Sequence, residues 1–431
     1  MERMKFITLL CFFLCGIYYF VEEDIDYRLC ALLSMSLIGI VHFKFDALYP
    51  FVWLTPILIL YHVSIYILEL LGFRTINSFD IILNSLYLSV LSFFLYCKLF
   101  IKQRSNFKLN CNFLANGNDR IIFKLLLLFS FYLILCIPLF LRSGYSSKME
   151  LNRNGGILGM GLVSNFFLLL YILFIIYRVL KDGKFPLTTI FYASAIALSI
   201  SLFIGERELF LTIAISSFLI YYKFYRPKLI KILAFGVVGL LLVSVLGEFR
   251  QITNQVNDKN EEKTVAESVL GGEFVTSGRN FGTILDNKSS WDYQYGSALV
   301  NDMLHSVIPS FIINIESTAG WYNKKYNTRV DEGWGAGFSY LAEGYLQCGY
   351  LGVVIWTIIL AFIMQLLYRQ SHRSLYGFAA YLFMICDTMY SMRGDLSFII
   401  SPLLKQVVFM YFFLKFIFRV NFSSNQVIYK K

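Results

Sequence analysis

Charge is scarce in this sequence. Of 431 residues, 15% are charged and 57% hydrophobic. A soluble domain carries about a quarter charged residues, so the shortage excludes a soluble globular chain. Nucleotide chemistry leaves no trace either. There is no P-loop, no GxGxxG after a strand, and no soluble domain large enough for a nucleotide sugar. The eight cysteines form neither a disulfide framework nor a metal spacing: Cys11, Cys15, Cys30, Cys97, Cys136, Cys348 and Cys386 lie in or beside apolar spans, and Cys111 sits in a basic loop. The opening MERMKFITLLCFFLCGIYYFVEED lacks a small-residue cleavage site, so it reads as a first transmembrane helix rather than a removed signal peptide. No internal repeat and no low-complexity tract interrupts the chain.

What the sequence has instead is one long apolar stretch after another. A crossing needs roughly 20 mainly apolar residues, and these runs are too long for barrel strands. The expected fold is therefore all-α, a polytopic membrane helical bundle of about 12 transmembrane helices. Residues 1–247 hold spans one to nine, the last being Ile232–Gly247; residues 248–339 form one large hydrophilic loop; residues 340–431 hold spans ten to twelve (Tyr340–Leu367, Leu375–Tyr390, Leu396–Phe418) and a tail. The formal net charge of +10 does not indicate a nucleic-acid partner, because the excess sits in short loops such as KLFIKQRSNFK, RVLKDGK, KFYRPKLIK and YRQSHRS. Lysine and arginine favour cytoplasmic loops, which places both termini in the cytoplasm and the large loop outside. Within that loop, ALVNDMLHSVIPSFIINI (298–315) carries Asn301, Asp302, His305 and Pro309, and reads as an amphipathic helix at the outer membrane surface rather than a span.

Polar groups near lipid are costly, so their positions are informative. They gather on the outer side. Spans seven and eight are joined by GERE around Arg207, and spans eleven and twelve by SMRGDLS, which puts Arg393 and Asp395 at the same level. Arg142, Arg153, Arg250, Arg279 and Arg329 share this face. Pairing with nearby carboxylates is one reading of them. A shared anionic ligand is the other, since a guanidinium fork suits a diphosphate. In GWGAGFSYLAEGYLQCGYLG (333–352), Gly333, Gly335 and Gly337 let the chain pass close to a ligand or another helix, and Ser339, Glu343 and Gln347 recur at helical spacing. A partly desolvated Glu343 is a candidate base for a sugar hydroxyl, with pairing to an arginine as its structural alternative. Asp302 and His305, three apart, form a candidate carboxylate-oriented base. Gly344, Gly349 and Gly352 point to helix packing, Lys405 and Asp387 to a buried ion pair, and Asp24-Ile-Asp26 to a minority metal option.

The stretches GSALVNDMLHSVIPSF (296–311) and GWGAGFSYLAEGYLQCGYLGVVIW (333–356), supported by GERELF and SMRGDLS, resemble the O-antigen polymerase (Wzy-type) family. The resemblance covers the layout of spans around one periplasmic loop, although the family's RX10G repeats are absent from the outer loops. It implies a glycosyltransferase in the bacterial inner membrane that moves glycan from undecaprenyl diphosphate to another lipid-linked repeat unit on the periplasmic face, with no cofactor. Glu343, then His305 with Asp302, would serve as base; Arg207, Arg393, Arg279, Arg142 and Arg153 would hold the diphosphate. Expected partners are the lipid-linked oligosaccharide, membrane lipid and, as an open matter, a chain-length regulator protein. Loop aromatics Trp291, Tyr293, Tyr295, Trp321, Tyr322 and Trp334 offer faces for sugars or a small core of their own. An O-antigen ligase and a lipid-linked glycan flippase remain the rival readings.

Overall fold

A computed structural model describes residues 2–73, 76, 78–102, 118–143, 159–205, 208–228, 230, 231, 234, 239, 274–308, 312, 313, 315–327 and 337–420. All but residues 234 and 239 of the expected ninth span, and the expected site residues Arg153 and Arg207, lie outside the described residues, as do Arg250, Arg329 and residues 328–336. The described residues form helices and no strand.

The first eight helices follow the apolar runs: α1 (Glu2–Val21), α2 (Ile25–His42), α3 (Pro50–Leu70), α4 (Phe79–Phe100), α5 (Asn118–Arg142), α6 (Met160–Asp182), α7 (Leu187–Ile204) and α8 (Glu208–Tyr225). Four shorter helices come from the hydrophilic loop and its exit: α9 (Val275–Asp286), α10 (Ser297–Val307), α11 (Thr318–Tyr326) and α12 (Tyr340–Cys348). The chain ends in α13 (Tyr350–Ser371), α14 (Leu375–Ser391) and α15 (Ser397–Ile417). Among the described residues, nine helices are long and apolar enough to cross a membrane. The α13–α14 hairpin joins two groups, since α13 packs on α4 and α3 while α14 packs on α6 and α8. Centre and edge differ in burial as lipid contact requires: α6 buries 78% of its apolar window and α1 only 17%. A helix that is apolar all round can fill either place, and its neighbours decide which.

Three expectations fail in form. Tyr340–Leu367 is not one helix. Gly349 takes φ 63° and ψ −139°, a conformation open to glycine, and there the chain reverses. The short arm α12 then folds back along α13, with the Tyr340 hydroxyl donating to the Trp356 carbonyl at 2.7 Å. Gly344 and Gly352 meet at this crossing, where a Cβ on Gly352 would lie 2.0 Å from the Gly344 carbonyl oxygen. The expected helix over 298–315 ends at Val307. Its polar side, Asp302 and Ser306, is buried in protein, while Val300, Met303, Leu304 and Val307 are exposed as on a helix wedged between bundle and lipid. Lys405 and Asp387 do not pair, because Pro402 disrupts the α-helical register and Leu403–Val408 is π-helical. The turn leaves Lys405 exposed, whereas Asp387 is buried and takes a 3.5 Å contact from Ser391 Oγ.

Candidate active site

At the end of the bundle covered by α9–α12, three carboxylates are buried together: Asp302 on α10, Glu343 on α12, and Asp395 in the turn between α14 and α15. All three are sealed from solvent. Helix ends explain how each is held. The first amides of α11 have no intrahelical acceptor. Asp302 accepts from the Thr318 amide at 2.8 Å and the Thr318 hydroxyl at 2.7 Å, and Asp395 accepts from the Ala319 amide at 2.8 Å. The start of α15 is treated alike: Glu343 Oε2 accepts from the Leu396 amide at 2.8 Å, and Asp395 accepts from the Ser397 amide at 3.0 Å and from the Ser397 hydroxyl. The acids therefore knit three segments distant in sequence around two helix N-termini, where negative charge is favoured.

One oxygen is left over. Glu343 Oε1 is buried with no hydrogen-bond donor among the described residues. The Asp302 carboxyl lies within hydrogen-bonding reach of Glu343. Two ionised carboxylates have no donor between them, so this contact becomes a bond only when one of them carries a proton. Burial pushes Glu343 well above the usual carboxylate range, and the neighbouring Asp302 charge adds to it. Burial, then the Asp395 charge, pushes Asp302 up to about 6. A shared proton between Glu343 and Asp302 is the arrangement these shifts favour.

Behind the acids stands a residue that no sequence motif marks. His62 of α3 is fully buried. Its Nδ1 lies 2.8 Å from the Leu58 carbonyl, which can only accept, so Nδ1 carries the proton and Nε2 is the acceptor. Nε2 then accepts from the Ser339 hydroxyl at 3.0 Å, and Ser339 Oγ caps α12 by accepting from the Ala342 amide at 3.3 Å. His62 thus anchors the helix that carries Glu343. The available signal was one imidazole within the apolar run ILILYHVSIYIL of α3. Close approach completes the anchor: Gly337, at φ 67°, lies where a Cβ would meet the Arg393 carbonyl oxygen at 3.1 Å, and the Phe338 amide donates to that same carbonyl.

The remaining candidates separate. His305, three residues from Asp302, makes no dyad with it: its Nδ1–H donates to the Ile315 carbonyl at 2.7 Å, while both Asp302 oxygens turn to Thr318. Ser339, Glu343 and Gln347 are all buried, but Gln347 serves another neighbour, accepting from the Gly296 amide at 2.8 Å. Arg393, two residues before Asp395, is half-buried, its guanidinium 3.8 Å from the centre of the Tyr390 ring. Arg279 is exposed on α9, close enough to Tyr322 for its charge to be felt there. Arg142 is exposed at the far end of α5, which packs against α6 and α7. Asp24 caps α2, and Asp26 accepts from the Tyr66 hydroxyl at 2.8 Å, so these two carboxylates serve different helices. Among the described residues, no group of three or more histidine, cysteine or acidic side chains has the arrangement of a metal site.

No curated protein and no solved structure matches the chain. A family model described as O-antigen polysaccharide polymerase Wzy matches residues 4–425, nearly the whole length, with α2 through α15 and all but the first two residues of α1 inside the match. The chain therefore belongs to the O-antigen polysaccharide polymerase Wzy family, membrane glycosyltransferases of lipopolysaccharide biosynthesis.

Proposed function

We propose that the protein joins undecaprenyl-diphosphate-linked oligosaccharides on the periplasmic face of the inner membrane, moving a growing glycan onto the non-reducing end of another lipid-linked repeat unit. The acceptor hydroxyl loses its proton to Glu343 as its oxygen bonds to the donor's anomeric carbon. The bond from that carbon to the diphosphate breaks, and undecaprenyl diphosphate leaves with the electron pair. Diphosphate is already a good leaving group, so the step requires charge stabilisation more than acid catalysis. Arg393, in the same α14–α15 turn as Asp395, supplies that charge in this scheme, with Arg279 on the same side of the bundle. Arg207, Arg153 and Arg142 remain proposed contributors from sequence position.

The observation that carries the base assignment is Glu343 Oε1, buried without a donor and set against Asp302. Burial and like charge raise the proton affinity of this carboxyl, and it takes the acceptor's proton in the state where the proton it shares with Asp302 rests on Asp302. A buried base meets its substrate once its cover yields. That cover is α10 and α11, tied down through Asp302 and Asp395, the acids that set the proton affinity of Glu343.

A deletion strain complemented with variants tests the proposal. Loss of polymerisation leaves surface core bearing a single repeat unit, whereas loss of a ligase or flippase leaves core with no repeat. We expect the single-repeat phenotype from the deletion, and the same from Glu343→Gln at normal protein level. A full polymer ladder with Glu343→Gln would remove the base assignment.

A further inference from the structure

The opposite end of α12 from the acids carries an exposed tyrosine in a conformation that L-residues avoid. Tyr295 has φ 45° and is 78% exposed. A left-handed backbone at a bulky residue persists only where surrounding structure over-determines it, and here it does. The Gln294 and Tyr295 amides donate to the Leu346 and Gln347 carbonyls at 3.0 and 3.1 Å, using acceptors that the end of α12 leaves open. The Gly296 amide donates to Gln347 Oε1 at 2.8 Å, and Gln347 Nε2 donates to Gln294 Oε1 at 3.2 Å. Four hydrogen bonds thus pin a backbone whose side chain does nothing for the core.

Beside Tyr295 further rings follow, Tyr293 and Tyr350 at least partly exposed and Tyr345 buried between them. Tyr293 lies 6.1 Å from Tyr295 by ring centres and 6.4 Å from Tyr345, which in turn lies 5.6 Å from Tyr350. Lys288 Nζ donates to the Tyr293 hydroxyl at 3.2 Å and stands 5.3 Å from the centre of that ring. Rigid rings beside a fixed cation and several hydroxyls suit a ligand with apolar C–H faces and a polar rim, which is the chemistry of a sugar ring. A lipid tail would leave the cation and hydroxyls without purpose.

We propose that Tyr295, with Tyr293, Tyr350 and Lys288, forms a saccharide subsite that stacks one ring of the oligosaccharide and holds the glycan beside α12, the helix bearing Glu343. The proposal rests on the polymerase reading for its ligand, not for its geometry. It makes α12 a ruler between glycan and base, with stacking at its C-terminal end and proton transfer one turn from its start.

The test uses Tyr295→Gly and Tyr295→Phe in the full-length protein purified in detergent. Glycine prefers the left-handed conformation, so Tyr295→Gly relieves strain and removes the ring without endangering the fold. The probe is the water-soluble oligosaccharide repeat unit released by mild acid from the host's own lipid carrier. We expect Tyr295→Gly to bind it about five- to tenfold more weakly and Tyr295→Phe to bind within about twofold of the wild type. Equal binding by wild type and Tyr295→Gly overturns the subsite, and so does a loss in Tyr295→Phe as large as that in Tyr295→Gly. Because the probe carries no lipid, an aromatic that merely anchors at the membrane interface leaves binding unchanged. Binding is read separately from polymer formation, so failure of the polymerase reading shows in turnover while failure of the subsite shows in affinity.

Discussion

Two polar networks are built on opposite principles. Around Arg28 on α2, unlike charges meet: Arg28 donates to Asp80 at 2.6 Å, to the Tyr19 hydroxyl at 3.0 Å and to Asn84, with its guanidinium 4.7 Å from the centre of the Tyr19 ring. Asp80 remains 57% exposed, so water shares the work. Around Glu343, three like charges gather, sealed from solvent, and among the described residues their donors are backbone amides and hydroxyls rather than a cation. In the first network each charge meets its opposite. The second is relieved by binding a proton, and that difference separates a structural clasp from a group able to take a proton from a substrate.

The largest effect should come from unloading the acid cluster. Glu343→Gln keeps the shape and offers Asp302 a permanent donor, while abolishing the base. Polymer formation should fall at least a hundredfold, the low end for a lost general base, as read from incorporation of labelled repeat unit. Stability should move the other way. Asp302 rises from 3.8 to about 6 and Glu343 rises too, so the native state holds more protons than the unfolded chain in that window. Stability therefore falls as pH climbs from about 4 through 6 and beyond. Glu343→Gln should flatten that slope and melt at or above the wild-type temperature at pH 7.5. A steeper slope in the variant would contradict the shared proton.

Asp302→Ala ranks next, with stability as its readout. It strips acceptors from the buried Thr318 amide and hydroxyl together, a loss of about 2–4 kcal/mol. Asp302→Asn should restore part of it, since one amide oxygen can still accept. Melting curves in detergent distinguish the two. A smaller effect is expected behind α12: His62→Leu leaves the Ser339 hydroxyl without its acceptor, so the helix carrying Glu343 loses its anchor. The rate at saturating substrate should drop about tenfold with little change in KM, and His62→Gln, whose side-chain oxygen can accept, should recover most of it. Equal losses in the leucine and glutamine variants would show that the imidazole acts otherwise.

How far this contrast was legible in the sequence depends on the distance over which each part is fixed. The apolar runs gave α1 to α8 and the C-terminal hairpin, because the length of a crossing is a local property. Glu343 and Asp302 stood out as acids beside apolar stretches. Their union with Asp395 did not, because it needs α10, the α12 hairpin and the α14–α15 turn in one place. The reversal at Gly349 was hidden because an apolar helix folded back on another has the same composition as one continuous helix. His62 escaped because its partner is 277 residues away. The Asp302–His305 spacing misled for a related reason: neighbours on a helix face were drawn apart by stronger partners outside it.

The Arg28 clasp supplies the smallest prediction and the sharpest control. Asp80→Asn leaves Arg28 its bonds to Tyr19 and Asn84, and because Asp80 is mostly exposed the pair with it lies in the weak class. Its removal should lower stability by less than about 1 kcal/mol. Polymer length and rate should be unchanged. Raising salt from 0.05 to 0.5 M shortens the screening length to well under about 10 Å, so the small difference between Asp80→Asn and wild type should shrink further. The buried acids are shielded from mobile ions by the protein, so the Glu343→Gln difference at pH 7.5 should persist across the same salt range. If salt erased both differences alike, the acid cluster would be as open to solvent as Asp80, and burial could no longer be the source of its proton affinity.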